Sequence, residues 1–175
     1  MRAISRVRAS GGNLAAGTRG AAAARAADSA CPRLLLAFVR PRHHVILATT
    51  RRDGAAQVSP VTAGVDTGGR LVVSTYPQRA KVANLRRRPD AWACVLSDEW
   101  NGPWVQVAGT AEVLDLPDAL EPLTEYYRSI SGEHPDWDEY RAAMQRQGKC
   151  LVRITIDRWG PIATGGFPPE LAGPD

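Results

Sequence analysis

The sequence predicts an α+β domain built on a small antiparallel β-barrel, closed or split, of six strands with peripheral helices. Three observations point there. Six short segments of strand character are separated by Gly, Pro and Asp turn signals. Helical segments fall between the later strands and not after every strand, so the βαβ alternation of a parallel sheet is missing. The length, 175 residues without an internal repeat, suits one domain of ordinary size.

Taken in order, "PRLLLAFVR" (32–40) reads as a short helix opened by Pro32. "HHVILATT" and "AAQVSPVTAG" flank "RRDG", where Asp53-Gly54 is a hairpin signal. "DTGG" then turns the chain into "RLVVST" (70–75), and these three strands are expected to form a meander. "QRAKVANLRR" is helical, with Ala80, Val82 and Leu85 on one side and Pro89 as its stop. "AWACVLS" (91–97) and "PWVQVAGTAEVLDL" (103–116) alternate apolar and polar residues as half-buried antiparallel strands do. Cys94, within the first of these, reads as a small buried hydrophobe. Two helices follow: "PDALEPLTEYYRSIS", ended by Gly132, and "DWDEYRAAMQRQ", with Asp136 as N-cap and acids in its first turn. "KCLVRITID" (149–157) is the sixth strand, and the Gly- and Pro-rich end is irregular.

The net charge of +4 is unevenly placed. Residues 1–33 hold Arg2, Arg6, Arg8, Arg19, Arg25 and Arg33 against Asp28 alone, so the rest of the chain sums to −1. The basicity belongs to the tail, and no nucleic-acid surface is expected on the folded body. Residues 1–32, rich in Ala, Arg and Gly, lack the apolar content to order themselves and are expected to be a dispensable tail or the product of a mis-called start, with the domain spanning 33–175. Arg19 and Arg25 interrupt every apolar run that could serve as a secretion signal, although an organelle transit peptide fits the composition. No run of about 18 apolar residues is present for a membrane span. Cys31, Cys94 and Cys150 are widely spaced, which disfavours both a zinc ribbon and a disulfide framework and points to the cytoplasm.

The common catalytic motifs are missing: no G-x-G-x-x-G after a strand, no Walker loop, no G-x-S-x-G elbow. His43 and His44 are adjacent and so point to opposite faces of their strand. His134, Asp136 and Asp138 form a weak metal-ligand pattern, interrupted by Pro135 and by the capping role of Asp136. No catalytic side chain and no metal site is assigned. Either the protein is not an enzyme, or an organic cofactor carries the chemistry and the chain supplies binding and orientation.

One constellation stands out. The chain uses two lysines against twenty arginines, and Lys81 falls in the first turn of the helix after strand 70–75. Backbone N–H groups, the helix dipole and a compact ammonium converge there as a receptor for a phosphate group, with Arg79 and Asn84 beside it and Ser74 and Thr75 as hydroxyl donors. Across the hairpin, "QVSPV" (57–61) offers Ser59, and Pro60 frees a backbone edge for a planar ligand. Lys81 and Asn84 could equally do no more than cap and solvate a helix.

The segments "LATTRRDGAAQVSPV", "LVVSTYPQRAKVANLRRRPDAWACVL", "VQVAGTAEV" and "LTEYYRSISGEHPDWDEYRAAM", in that order, resemble the split-barrel flavin and deazaflavin oxidoreductases related to pyridoxamine 5′-phosphate oxidase, the FMN-binding fold. Within them the chain is similar to actinobacterial reductases that use coenzyme F420, a 5-deazaflavin. The resemblance covers roughly residues 33 to 165; its specific parts are R-A-K-x-x-N-L-R-R-x-P and Y-R-x-I-x-G-E-H-x-D-W-D-x-Y-R. It implies that Lys81 binds the cofactor phosphate with Arg79 and Asn84 beside it. It implies further that Ser59, Pro60 and Val61 lie against the ring system, and that Ser74 and the Ala80 backbone, with Thr75, lie near the ribityl-phosphate. Trp104 is expected beside the ring on the substrate side. A homodimer with the cofactor between subunits is implied, with Trp159 and "GPIATGGFPP" closing the site from the partner.

The FMN-dependent oxidases of this superfamily begin the ring-facing strand with R-x-V-L-L-K and end on an R-L-x-P motif. Here the strand is "QVSPVT" and the closing motif is absent. That favours the deazaflavin branch, in which Arg42, Arg86 and Arg87 could attract the anionic cofactor tail. The expected activity is hydride transfer from reduced F420 to an activated C=C or C=N bond of a small apolar substrate. The alternatives are an FMN-dependent oxidase or reductase and a non-catalytic F420 carrier.

Overall fold

A computed structural model describes residues 32–166. Readings that fall on residues 1–31, Cys31 among them, and on "FPP" at 167–169 lie outside the described residues.

Helix α1 (Pro32–Val39) opens on proline, whose missing N–H would have had no intrahelical partner, and turns Leu35, Phe38 and Val39 into the barrel. Strands β1 (His44–Thr50) and β2 (Ala56–Thr62) form the hairpin expected at Asp53-Gly54, where Gly54 adopts φ 86°. At Ala63 the chain leaves this hairpin. The two-residue β3 (Gly64–Val65) pairs with β4 (Leu71–Thr75), and β4 pairs with β7 (Cys150–Trp159), not with β2. The expected meander is therefore wrong: the segment read as one strand serves β1 with its first part and β4 with its end.

Helix α2 (Ala80–Arg87) follows β4, and β5 (Asp90–Leu96) and β6 (Pro103–Leu114) form a second hairpin. After α3 (Leu120–Ser131) and α4 (Trp137–Gln147) come β7 and a two-residue β8 (Ala163–Thr164) on β6. The order is β2-β1-β5-β6-β7-β4-β3, every pairing antiparallel. The predicted fold class holds, with eight strands among the described residues where the sequence suggested six. The additional ones are the two-residue ladders. β2 passes close to β4 without pairing, so the barrel is split there.

Long β6 pairs with β5 on one edge and β7 on the other, and the register with β7 shifts at Ala108–Gly109, where Asp157 of β7 is the extra residue. A Cβ on Gly109 would collide with the Thr155 carbonyl, so only glycine permits this close approach of the two strands. Inside the barrel, Val45, Leu47, Val95, Val105, Val107 and Val152 pack with α1 and with Val82 and Leu85 of α2. At the β3–β4 turn the Asp66 carboxylate, 2% exposed, accepts from the Arg70 backbone and guanidinium and lies 3.5 Å from Arg153. That network pins the turn to β7.

A second apolar cluster lies outside the sheet. Val72 and Leu151 are covered by Leu123 and Tyr126 of α3 and by Tyr140 and Met144 of α4. The "YRSISGEHPDWDEYR" segment builds this hairpin. Gly132, at φ 79°, ends α3; the Asp136 carboxylate accepts from the Asp138 and Glu139 N–H groups; the Tyr140 hydroxyl donates to the Leu123 carbonyl at 3.0 Å. Tyr127, His134, Trp137 and Tyr140 pack ring against ring. His134 Nδ1 accepts the Asp136 backbone N–H, and no group of three or more metal-ligating side chains occurs among the described residues.

Candidate functional site

Helix α2 starts after a turn closed by the Arg79 N–H on the Tyr76 carbonyl. Arg79, exposed, occupies the N-cap and offers no side-chain oxygen, so no side chain caps the first turn. Lys81 is half-buried in that turn. Burial, and after it the nearby Arg79 charge, hold the Lys81 ammonium below its ordinary pKa. Neither cation has a carboxylate partner among the described residues. Two like charges and a helix N-terminus thus meet without a counter-charge, an arrangement that an anion relieves. The second lysine of the chain, Lys149, lies 4.1 Å from the centre of the Tyr76 ring, just before α2.

Asn84 faces the other way. Only 7% exposed, it donates to Thr49 Oγ1 at 3.0 Å, and Thr49 donates to Gln57 Oε1 at 3.2 Å. Its own Oδ1 accepts from Arg87, which also reaches the Thr50 carbonyl. This relay ties α2 to β1 and β2, so the helix start is held in place over the end of the hairpin. Of the other arginines considered for an anionic tail, Arg86 holds Asp115 through both carboxylate oxygens at 2.7 Å. Arg42 donates to the Phe38 carbonyl and lies over the Phe38 ring.

On β2 alternate residues face inward: Gln57, Ser59 and Val61 are half-buried, and Val58, Pro60 and Thr62 are exposed. Ser59 Oγ is buried and has no hydrogen-bond partner, a costly state for a hydroxyl. Ser74 is half-buried and Thr75 buried at the end of β4; Ala80 is exposed. Ser59 and Val61 on the inward pleat of β2 and Ser74 and Thr75 at the end of β4 thus border the split, with Arg79, Ala80 and Lys81 following β4 at the start of α2; Pro60 lies on the outer pleat and Asn84 is turned toward β1.

Trp104 is elsewhere. It pairs with Leu96, Leu96 with His44, and His44 with Thr62. Three strand spacings, about 14 Å, therefore separate it from β2 within one subunit.

Among the described residues, no helix covers the outer face of β2-β1-β5-β6. Ile46, Ala48, Pro60, Cys94 and Leu96 lie on it with Val58, 57% exposed, and Trp92, 38% exposed. Cys94 is accordingly half-buried on this face and not a core filler; what burial it has pushes its thiol pKa up. Two grooves cross the region. One of about 460 Å³ runs past Trp92, Gln106, Ala108 and Trp159; another of about 310 Å³ lies between β1 and β2 and includes His44, Ile46, Pro60 and Leu96.

Sequence reasoning missed this face and the pairing of His44 Nδ1 with Asp98 at 3.2 Å. The signal for the face was present: "HVILATT" and "AWACVL" are apolar on both sides of the pleat, unlike a strand with one wet face.

Solved structures share this fold. A conserved hypothetical protein from Mycobacterium tuberculosis aligns at 24% identity and TM-score 0.62, covering 76% of this chain and 85% of its own. A protein described as an F420 reductase aligns at 18% identity and TM-score 0.55, covering 71% of this chain and 94% of that one. HutZ, a haem storage protein from Vibrio cholerae, aligns at 16% identity and TM-score 0.59, covering 76% and 96%. The scaffold therefore accompanies more than one ligand chemistry, and the choice among them must come from side chains. Residues 32–163 match the family described as pyridoxamine 5′-phosphate oxidase. With the split antiparallel barrel and its flanking helices in place over that same span, the chain belongs to the pyridoxamine 5′-phosphate oxidase family.

Proposed function

We propose that the protein is a reductase using coenzyme F420, with FMN as the alternative cofactor, and that it works as a homodimer on small apolar substrates. The observation that carries this reading is the uncompensated Arg79–Lys81 pair at the uncapped start of α2. It fits a phosphate monoester, and the buried, unpartnered Ser59 Oγ on the inward pleat of β2 fits a polar atom of the ligand's body. When bound, a reduced deazaflavin supplies a hydride equivalent from C5.

The chain's own residues bind and orient. Lys81 and Arg79 hold the phosphate, with the Ala80 backbone beside it; Ser74 and Thr75 line the stem of the ligand; Ser59, Pro60 and Val61 form the strand edge against the ring. Asn84 acts through the Thr49–Gln57 relay by keeping α2 and β2 in register. The open face of β2-β1-β5-β6 supports the homodimer, since a contiguous apolar sheet face is what a second subunit covers. Trp104, remote from β2 in its own subunit, reaches the ring of the other subunit's ligand in such a dimer, and Trp159 closes the groove beside it.

F420 is preferred over FMN because the ring-facing strand Ala56–Thr62 carries no charged residue. The resemblance to a protein described as an F420 reductase points the same way. Titration of the purified chain with each cofactor tests the reading. F420 should bind more tightly, and the protein should purify colourless from a host lacking F420. Stoichiometric FMN in protein active without F420 would overturn the deazaflavin assignment, and tight F420 binding without turnover of any enone would favour a carrier.

A further inference from the structure

We propose that Thr49 is a positioning residue that couples the two ends of the ligand site, so that an anion bound at the start of α2 tightens the binding of a planar ring at the edge of β2. The proposal rests on the cofactor reading above and goes beyond it by making the site one cooperative unit.

Thr49 follows Val45 and Leu47 on the inward pleat of β1 and is 1% exposed. A hydroxyl so placed destabilises the fold unless its hydrogen bonds are made. Both are made here. It accepts from Asn84 Nδ2 at 3.0 Å and donates to Gln57 Oε1 at 3.2 Å. The direction of this chain is set at one end. Arg87 can only donate, and its contact with Asn84 Oδ1 turns the Asn84 amide nitrogen toward Thr49. The Thr49 hydrogen is then directed to Gln57 Oε1, and the Gln57 amide nitrogen to the Val58 carbonyl, 3.1 Å away.

That last acceptor lies on the free edge of β2. The Arg51 N–H bonds to the Ala55 carbonyl and the Ala63 N–H to the His43 carbonyl, with an unbroken register between them. In an antiparallel pair the bonded residues alternate. The backbone of Gln57, Ser59 and Val61 therefore faces β1, and that of Val58, Pro60 and Thr62 faces the split. The relay thus runs from α2, one turn after Lys81, through β1 to the strand edge two residues before Pro60.

Both elements that it joins are open on one side. Helix α2 starts without a side-chain cap, and β2, a terminal strand, pairs with β1 alone among the described strands. A group that orders one of them lowers the ordering cost of the other, which is positive coupling without a change of fold.

The test titrates the full cofactor-free chain with inorganic phosphate and with 5-deazariboflavin, which has the ring and the ribityl chain but no phosphate. In the wild type, saturating phosphate at fixed ionic strength should lower the deazariboflavin Kd about fivefold, and deazariboflavin should lower the phosphate Kd by the same factor. Thr49→Val, which keeps the shape and removes the hydroxyl, should bring that factor to about one. Thr49→Ser should restore it, a rescue that a role in packing alone would not give. Gln57→Met cuts the last link at a half-buried position and should abolish the coupling even where Thr49→Val fails to fold. A factor of about one in the wild type, or an unchanged factor in Thr49→Val or Gln57→Met, would overturn the proposal. If neither probe binds the wild type, the cofactor reading and the coupling fall together. F420 binding without coupling between the probes keeps the reading and removes the coupling. Coupling through Thr49 with FMN held more tightly than F420 keeps the coupling and removes the deazaflavin assignment.

Discussion

The barrel has two outer faces of similar apolar character and opposite fates. On the β4–β7 side Val72 and Leu151 are sealed by the α3–α4 hairpin. On the β2-β1-β5-β6 side Ile46, Val58, Pro60, Trp92 and Leu96 meet no helix among the described residues. Among the described residues, two amphipathic helices cover one face and none covers the other. The covered face holds the domain together, and under the proposed homodimer the other is the face of association.

The sharpest way to break that distinction is to damage each face in turn. Leu151→Ala, fully buried beneath the hairpin, should cost about 2–5 kcal/mol in denaturant unfolding. Ile46→Asp on the open face should change unfolding by about 0.5 kcal/mol or less but convert a dimer to monomer in sedimentation. A monomeric wild type, or a large stability loss for Ile46→Asp, would remove the contrast.

Next in size is the site at the edge of the open face. Lys81→Ala should weaken F420 binding roughly thirtyfold or more, corresponding to about 2 kcal/mol, without lowering the melting temperature. Lys81→Arg should also be impaired, because a planar fork does not replace a compact ammonium. Calorimetric titration reads both, and unaltered affinity in the alanine variant would leave Lys81 a solvated helix residue.

The covered face has its own alkaline signature. The Tyr140 hydroxyl has its pKa raised to about 12, by burial first and then by Tyr126 and Tyr127. Folding therefore favours the neutral phenol. That stability is present below about pH 10, where the unfolded chain's tyrosine begins to ionise, and is lost as pH rises through the folded value. Unfolding followed between these limits should show a steeper decline in wild type than in Tyr140→Phe. The smallest expected effect is Asp136→Ala, which removes the α4 cap and should cost about 1 kcal/mol, with the oligomeric state unchanged.

What was legible in the sequence was local. The Gly54 turn, the Gly132 stop, the Asp136 cap and the position of Lys81 in the first turn of α2 are each decided within a few residues, and each occurs where expected. What was not legible depends on residues distant in the chain. Nothing near "LVVST" says that β4 pairs with β7 instead of β2, because the pairing is chosen by closure of the whole barrel. Ladders as short as β3 and β8 carry no period to detect. Asn84 read as a surface neighbour of Lys81 because its true partner, Thr49, belongs to a strand on the other side of β2 and β4 in sequence. His44 and Asp98 meet only because β1 and β5 align in register.

Pro60 has a consequence for the protein in a crowded solution. β2 is the terminal strand of the sheet, and such an edge ordinarily invites strands of other molecules to add to it. Midway along it, at the position paired with Ile46, proline offers no N–H. An incoming strand can therefore form no continuous ladder past that point. Beside an apolar face as open as this one, that interruption restricts association to face-to-face pairing, which closes on itself, and blocks edge-to-edge growth, which would end in fibres.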